Sequence, residues 1–213
     1  MRIAIIGAGN QGTALGGALE TAGHTVVFAR RGSESDSAPG AEGRPNLADA
    51  VRQSEALALT VPSWRLEELL TNLSSLNLSG RIVIDVTNPL TPEKGWARGF
   101  STSNAELVAS ALPTAEVVKA FNTVFASWLT QGGRALGEQL TGFVASDSLR
   151  AKQIALGLVR DVGLDPVDAG GLESARLLEA VGVMLVRLGA FTPLGWSLGM
   201  RLVHPRPNPG QPV

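Results

Sequence analysis

Three glycines near the N-terminus have the spacing Gly7-x-Gly9-x-x-Gly12. At this spacing, the first glycine allows a tight turn, the second lets a pyrophosphate approach the backbone, and the third lets a helix pack close to a strand. A predicted apolar strand, Arg2–Ile6, precedes the motif, and the helix that follows would point free backbone N–H groups at the phosphates. The motif predicts a dinucleotide site, with a glycine-rich structural turn as the alternative. The predicted cofactor-binding residues here are Gly7, Gly9, Asn10, Gln11 and Gly12.

Two arginines follow the second predicted strand, Thr25–Ala29. An acidic residue at this place binds the ribose 2′-hydroxyl of NAD, whereas arginine accommodates the 2′-phosphate of NADP. Arg30 and Arg31 match a phosphate in charge and geometry, and Ser33 adds a hydroxyl donor. Acidic residues at positions 34 and 36 would oppose a phosphate if they folded back. The sequence favours NADP(H) over NAD(H), and a solvated loop is the alternative for the two arginines.

Loop residues follow each of the next three predicted strands. Ligands of open α/β sheets bind at the carboxyl ends of the strands, so these residues are expected near the cofactor. Asn88 and Asn122 offer amide donors and acceptors without charge, although asparagine also forms turns. The residues predicted to face the ligands are Val61 and Pro62 after the third strand, Asn88 and Pro89 after the fourth, and Asn122 and Thr123 after the fifth.

Side chains that move protons at neutral pH are scarce, because the chain has no tyrosine and only two histidines. His24 precedes the second strand, and His204 lies in a proline-rich tail, so neither is expected at the site. Lys119 is predicted in a strand and Lys152 on a surface helix, which leaves Lys94 as the one lysine in a candidate loop. We therefore predict no catalytic side chain. The scarcity favours hydride transfer directly between two bound cofactors, with the protein supplying alignment and exclusion of water.

Composition limits the partners. The chain has no cysteine, which excludes disulfides, thiolate nucleophiles and cysteine-ligated metal sites, and we predict no metal site. The formal net charge is −1 and no basic tract occurs, so neither nucleic acid nor a membrane is expected as a partner. A small-molecule redox cofactor is expected instead. Without a signal-peptide pattern, the expected location is the cytoplasm.

These candidate residues need a scaffold that brings strand ends together. Strand-like runs alternate with helix-compatible stretches, and runs such as Ile3–Ile6 and Ile82–Ile84 are apolar on both faces. The pattern predicts an α/β fold with a Rossmann-like, doubly wound and mainly parallel sheet. The predicted strands are Arg2–Ile6, Thr25–Ala29, Ala56–Val61, Arg81–Val86, Val117–Ala120, Thr141–Ala145 and Asp165–Asp168.

A final helix is predicted over about Glu173–Gly189, with an apolar stripe at helical spacing. We assign residues 1–172 to an NADP-binding Rossmann domain and 173–213 to a C-terminal helix with an irregular tail. The stripe packs either on this chain's own sheet or on a second subunit, which would make a homodimer. A long loop, Thr87–Ser103, is also predicted, and its role as a lid is left open. Its Trp96 and Phe100 either stack on a ligand ring or anchor the loop.

Five segments together resemble the NADPH:coenzyme F420 oxidoreductases and their F420-reductase-like relatives, which share a nucleotide domain with the STEAP ferric reductases. The last three segments in chain order are the more specific. The segments are Ile3–Gly12, Ala22–His24, Asp85–Leu90, Val117–Thr123 and Asp168–Arg176.

The resemblance implies hydride transfer between the nicotinamide of NADPH and the deazaflavin ring of F420. Asn122 stands where the archaeal members of the family carry histidine, so a flavin or another acceptor is the alternative. The resemblance also implies that the glycine turn and Arg30–Arg31 hold NADP and that the Val61–Pro62 and Asn88 loops flank the nicotinamide. Asn122–Thr123 would then approach the second ring.

Two other functions fit the same observations. A non-catalytic NADP(H)-binding sensor would also lack acid–base residues. Reduction of a small imine, as in pyrroline-carboxylate reductases, is the other alternative. It is disfavoured because only about 40 residues follow Leu172, too few for the larger helical dimerisation domain of that family.

Overall fold

The computed structural model describes residues 1–29 and 44–203. Strands β6 (Arg134–Ala135) and β7 (Glu138–Gln139) pair as a small hairpin that the sequence did not predict. The strands of the main sheet are β1 (Arg2–Ile6), β2 (Thr25–Phe28), β3 (Ala56–Leu59), β4 (Ile82–Asp85), β5 (Glu116–Ala120), β8 (Thr141–Ala145) and β9 (Asp165–Asp168). Their order in the sheet is β2-β1-β3-β4-β5-β8-β9.

Every neighbouring pair in this sheet is parallel except β5 and β8, which are antiparallel. The predicted α/β, Rossmann-like, doubly wound and mainly parallel sheet is confirmed. All seven predicted strands are present, with ends that differ from the prediction by at most two residues. The strand order reverses at β1, which lies between β2 and β3, and ligands of open α/β sheets bind at such a reversal.

Seven helices accompany the sheet in the described residues. They are α1 (Asn10–Thr21), α2 (Leu47–Gln53), α3 (Leu66–Ser74), α4 (Asn104–Ala111), α5 (Ala126–Leu129), α6 (Leu149–Asp161) and α7 (Ala175–Phe191). The predicted final helix is present as α7, but a 3₁₀ turn over Leu172–Ser174 delays its start. None of the helices within residues 1–29 and 44–203 is both long and apolar enough to span a bilayer.

The core lies on both faces of the sheet. Successive strand residues point to opposite faces, so Ile3 and Ile5 of β1 join one apolar cluster, and Ala4 and Ile6 join the other. The first cluster includes buried residues of α1 and α6, and the second includes buried residues of α3 and α4. The strands that are apolar on both sides are therefore covered by helices on both sides, as predicted.

Two predictions about polar residues have different outcomes. Lys152 was predicted on a surface helix, and this prediction was wrong. Its residue is 8% exposed, and its Nζ lies 3.2 Å from Asp168 Oδ1 because α6 turns this face toward β9. His24 lies at the amino end of β2, where its Nε2 is 3.1 Å from Asp161 Oδ2. It is therefore at the end of the sheet opposite the candidate site, as predicted.

Candidate functional site

The glycine turn has the geometry that its spacing predicts. Gly7 has a φ of +119°, which favours glycine. A Cβ at Gly12 would lie 1.9 Å from the Gly7 carbonyl oxygen, so helix and strand meet too closely for any side chain there. A Cβ at Gly9 would meet nothing within 4 Å. Open space therefore lies over the middle glycine, where a pyrophosphate would approach.

Helix α1 starts at this open space. Gly9 caps the helix without a side-chain hydrogen bond, and the first turn carries no acidic residue. The free backbone N–H groups and the positive end of the helix dipole therefore face the cavity without a competing anion. Thr60, at the end of β3, donates its hydroxyl to the Gly7 carbonyl at 2.7 Å and fixes the turn from below. The turn fits a dinucleotide phosphate.

A cavity of about 680 Å³ runs along the carboxyl ends of the central strands. Most of the predicted cofactor and substrate residues line it: Gly7, Gly9, Asn10, Gln11, Val61, Pro62, Asn88 and Asn122. Gly12, Pro89 and Thr123 are buried beside it and do not line it. In the structure these three residues shape the turns that carry their neighbours, and their contacts with a ligand stay a prediction.

Apolar side chains form walls of this cavity that the sequence patterns did not predict. Leu47 of α2 and Leu69 of α3 line the part near the end of β2, where the adenosine of a dinucleotide would lie. Leu90, Phe125 and Val186 line the part near Asn88. No motif marks these residues, because their position depends on how loops and α7 pack over the sheet.

The side chain of Gln11 forms hydrogen bonds within the protein. Its Nε2 donates to the carbonyl oxygens of Val124 (3.0 Å) and Phe121 (3.4 Å) in the turn after β5. Phe121 has a φ of +62° and is fully buried, so this turn holds a backbone conformation that non-glycine residues rarely adopt. Gln11 thus joins the glycine turn to the turn after β5, and only its backbone is left to contact a phosphate.

The two predicted asparagines bind each other. Asn88 Nδ2 donates to the Asn122 carbonyl oxygen at 2.8 Å, and Asn122 Nδ2 donates to Asn88 Oδ1 at 2.9 Å. Asn122 Nδ2 also donates to the Leu178 carbonyl oxygen of α7 at 2.8 Å. These donors fix the orientation of both amides. The resemblance implied separate places for the two asparagines around two rings, whereas the structure joins them into one rigid pair.

A buried ionic cluster lies beneath this pair. Lys119 Nζ is 2.7 Å from Asp85 Oδ2 and 2.8 Å from Glu179 Oε1, and the three side chains are 0%, 0% and 2% exposed. Lys119 Nζ also donates to the Thr87 carbonyl oxygen. The backbone N–H groups of the first α4 residues donate to the Glu179 carboxylate. The cluster therefore connects β4, β5, α4 and α7 directly below the Asn88 loop.

The pKa values of Lys119 and Glu179 are shifted in this cluster. Burial lowers the pKa of Lys119, but the carboxylates of Asp85 and Glu179 outweigh burial and raise that pKa above its usual value. Burial raises the pKa of Glu179, and the Lys119 ammonium offsets only part of this effect. Lys119 is therefore a permanent cation shared by two carboxyl groups. It is not a proton donor near neutral pH.

The remaining predicted residues lie elsewhere. Arg30, Arg31 and Ser33 fall outside the described residues. Trp96 and Phe100 pack against each other with ring centroids 4.7 Å apart, and neither lines the cavity. The one lysine in a candidate loop, Lys94, is also absent from the cavity lining.

Comparison with known proteins agrees with this geometry. Residues 2–89, which include the glycine turn and the Asn88 loop, match the family described as NADP oxidoreductase coenzyme F420-dependent. The family resemblance is confirmed. The F420-dependent NADP reductase of Methanothermobacter thermautotrophicus is 28% identical over 211 residues, which cover 88% of this chain and 89% of that protein.

A second group of relatives is longer. The metalloreductase STEAP3 of Rattus norvegicus is 34% identical over 191 residues. The match covers 87% of this chain but only 37% of the STEAP3 sequence. Among solved structures, a protein from Arthrobacter sp. FB24 that is provisionally named an F420-dependent NADP reductase is 26% identical, with a TM-score of 0.81. That comparison covers 96% of this chain and 100% of the other. Both curated relatives are named as reductases.

Proposed function

We propose that this protein is an NADPH-dependent oxidoreductase that transfers a hydride between NADP(H) and a deazaflavin (F420) or flavin-type acceptor. One observation carries the proposal. A single cavity joins a dinucleotide-type glycine turn to an amide pair and an apolar wall, and the lining residues within 1–29 and 44–203 include no histidine, lysine, tyrosine or cysteine. The one carboxylate among these lining residues, Glu68, is 68% exposed and lies 3.3 Å from the Arg65 guanidinium. Such a site is suited to aligning two rings rather than to moving protons.

The chain's own residues would bind and orient the cofactor. When bound, NADP(H) supplies the redox chemistry as a hydride donor or acceptor. The N–H groups of α1 would hold the pyrophosphate at Gly9, and Leu47 and Leu69 would cover the adenosine. Val61, Pro62 and Asn88 would contact the nicotinamide. The buried ionic cluster keeps the Asn88 loop in place from below.

The apolar wall near Asn88 suits a second planar ring. Phe125 lines the cavity, and Trp196 packs edge-on against it with centroids 5.5 Å apart. Leu90 and Val186 complete this side. An aromatic and aliphatic surface of this kind buries a flat ring and excludes water from the point of hydride transfer.

An acceptor screen tests the proposal. Purified protein is mixed with NADPH and either F420 or FMN, and the loss of nicotinamide absorbance is followed. We expect turnover with at least one acceptor. Tight NADPH binding without turnover against a broad acceptor panel would instead favour a non-catalytic sensor, and turnover with a cyclic imine would favour the imine reductase.

The choice of NADP(H) over NAD(H) is proposed from Arg30 and Arg31. Replacing both with alanine removes two phosphate-matching guanidinium groups, and we expect NADPH affinity to fall by at least about tenfold while NADH affinity changes little. Dissociation constants from nicotinamide fluorescence measure both. Unchanged NADPH affinity would mean that the 2′-phosphate binds elsewhere.

We also propose that a second copy of this chain covers the outer face of α7. Leu177, Met184 and Phe191 repeat every seven residues and are 63%, 49% and 60% exposed, which forms one apolar stripe along a helix. Two copies of such a stripe can pair about a twofold axis. Replacing Met184 with lysine should then produce a monomer in light-scattering measurements of mass. A wild-type monomer at micromolar concentration would refute the proposal.

A further inference from the structure

Gly182, in the middle of α7, is in contact with the predicted nicotinamide end of the cavity. A Cβ built at this glycine would lie 2.3 Å from Asn88 Oδ1, 2.6 Å from its Nδ2 and 2.7 Å from its Cγ. The three nearest atoms therefore all belong to one amide group. Gly182 is not among the residues with positive φ, and glycine is unfavourable relative to alanine inside a helix. Its backbone conformation does not require glycine, whereas the contact with Asn88 does.

Asn88 cannot easily move away from an added methyl group. Its amide both donates to the Asn122 carbonyl oxygen (2.8 Å) and accepts from Asn122 Nδ2 (2.9 Å). Asn122 is itself held by the Leu178 carbonyl oxygen, one turn before Gly182 on the same helix. Moving Asn88 would break this reciprocal pair and change the cavity wall.

Helix α7 cannot easily move away either. Glu179, three residues before Gly182, forms a 2.8 Å ion pair with Lys119 in the sheet, and both side chains are buried. The same carboxylate accepts backbone N–H groups from α4. Separating the helix from Asn88 would therefore strain a buried charge network, which is costly.

We propose that Gly182 is a positioning residue: its missing side chain lets the Asn88 amide lie flat on α7 and so sets the wall against which the nicotinamide binds. The C-terminal helix is then part of the cofactor site. This inference rests on the proposed NADP(H) function, because that function places the nicotinamide at Asn88.

A double-mutant cycle tests the inference. The variants are Gly182→Ala, Asn88→Ala and the pair together, with Gly157→Ala as the matched control. Gly157 is a glycine of α6 where an added Cβ would meet nothing within 4 Å. NADPH dissociation constants and the emission maximum of bound NADPH are measured for each, because the emission reports the surroundings of the nicotinamide.

We expect Gly182→Ala to weaken NADPH binding about tenfold and to shift the emission of the bound cofactor. In the Asn88→Ala background, the same change should alter binding by less than about twofold, because the clashing amide is gone. Gly157→Ala should leave both readouts at wild-type values. Equal effects of Gly182→Ala in the two backgrounds would overturn the proposal, as would no effect in either.

A second measurement keeps this inference separate from the proposed function. Urea unfolding without cofactor should show that Gly182→Ala destabilises the wild-type background but not the Asn88→Ala background. If wild-type protein does not bind NADPH, the proposed function fails, while this arm still tests the contact. If Gly182→Ala does not fold, the double variant should fold, and its failure to do so would overturn the inference.

Discussion

Replacing Lys119 with methionine would remove the cation from the buried ionic cluster. Its ammonium is 2.7 Å from Asp85 Oδ2 and 2.8 Å from Glu179 Oε1, and none of the three side chains is more than 2% exposed. Methionine has a similar length and fills most of the same space, so little packing is lost. The variant instead leaves two carboxylates buried side by side without a counterion.

The loss of folding stability in Lys119→Met follows from this geometry. Breaking a buried ion pair by removing one partner costs about 3–5 kcal/mol, because the remaining charge is uncompensated. For a chain of this size, the unfolding midpoint should fall by about 6–20 °C.

The deficit in stability of Lys119→Met relative to wild type should also depend on pH. Burial already raises the pKa of Glu179, and without the ammonium this pKa rises further above the unfolded value of about 4. A raised carboxyl pKa means that the folded state binds extra protons, so the variant loses stability as pH rises through this range. The deficit should therefore be largest near neutral pH and should shrink as the pH falls toward about 4.

Urea unfolding followed by tryptophan fluorescence at several pH values measures this deficit. Lys94→Met is the control, since Lys94 forms no ion pair in the described part of the chain and should change stability by less than about 0.5 kcal/mol. A deficit below about 1 kcal/mol at neutral pH, or one that grows on acidification, would refute the reasoning that Lys119 compensates two buried carboxylates.

Three further predictions concern the site and its supports. Gly9→Val places a side chain in the open space over the turn, so NADPH affinity should fall at least about tenfold in a fluorescence titration, while the poorer N-cap should lower the unfolding midpoint by only a few degrees. Gln11→Ala removes both hydrogen bonds to the turn after β5 and should cost about 1–2 kcal/mol in urea unfolding; a similar loss in Asn10→Ala, which makes no such bonds, would contradict this. The pKa of Glu106 is lowered, mainly because Arg176 donates a hydrogen bond to its carboxylate. The stability that this carboxylate contributes is therefore present above the ordinary carboxyl pKa and is lost as the pH falls through the lowered value. Glu106→Gln should therefore reduce the thermal midpoint at neutral pH and match wild type in strong acid, and a constant difference across pH would show that the charge is not responsible.

Local sequence patterns predicted the scaffold and one half of the site well. The glycine turn depends on residues close together in sequence, and the spacing of Gly7, Gly9 and Gly12 predicted the tight turn at Gly7, the open approach at Gly9 and the close contact of helix and strand at Gly12. The apolar strands and the helix α1 stripe depend on short periodicities. The expectation that Asn88 and Asn122 reach one edge of the sheet followed from the rule that parallel strands end together.

Other features lay beyond those patterns. The sequence predicts Lys119 in a strand, but its partners Asp85 and Glu179 are 34 and 60 residues away. Lys152 was misplaced because its helix face was read without knowing that β9 would lie against it. The antiparallel β8 and the apolar cavity walls likewise depend on the path of connections that carry no motif.

The sequence by itself determined the strands, the glycine turn and the positions of loop amides, because each depends on interactions between residues that are near neighbours in the chain. The tertiary structure decided that Asn88 and Asn122 bind each other, that Gln11 holds the turn after β5, and that Gly182 of α7 touches the cavity wall. These contacts join segments 34, 113 and about 90 residues apart. They depend on which strands become neighbours and where the last helix packs, and a side chain's partner is fixed only when those separate elements come together.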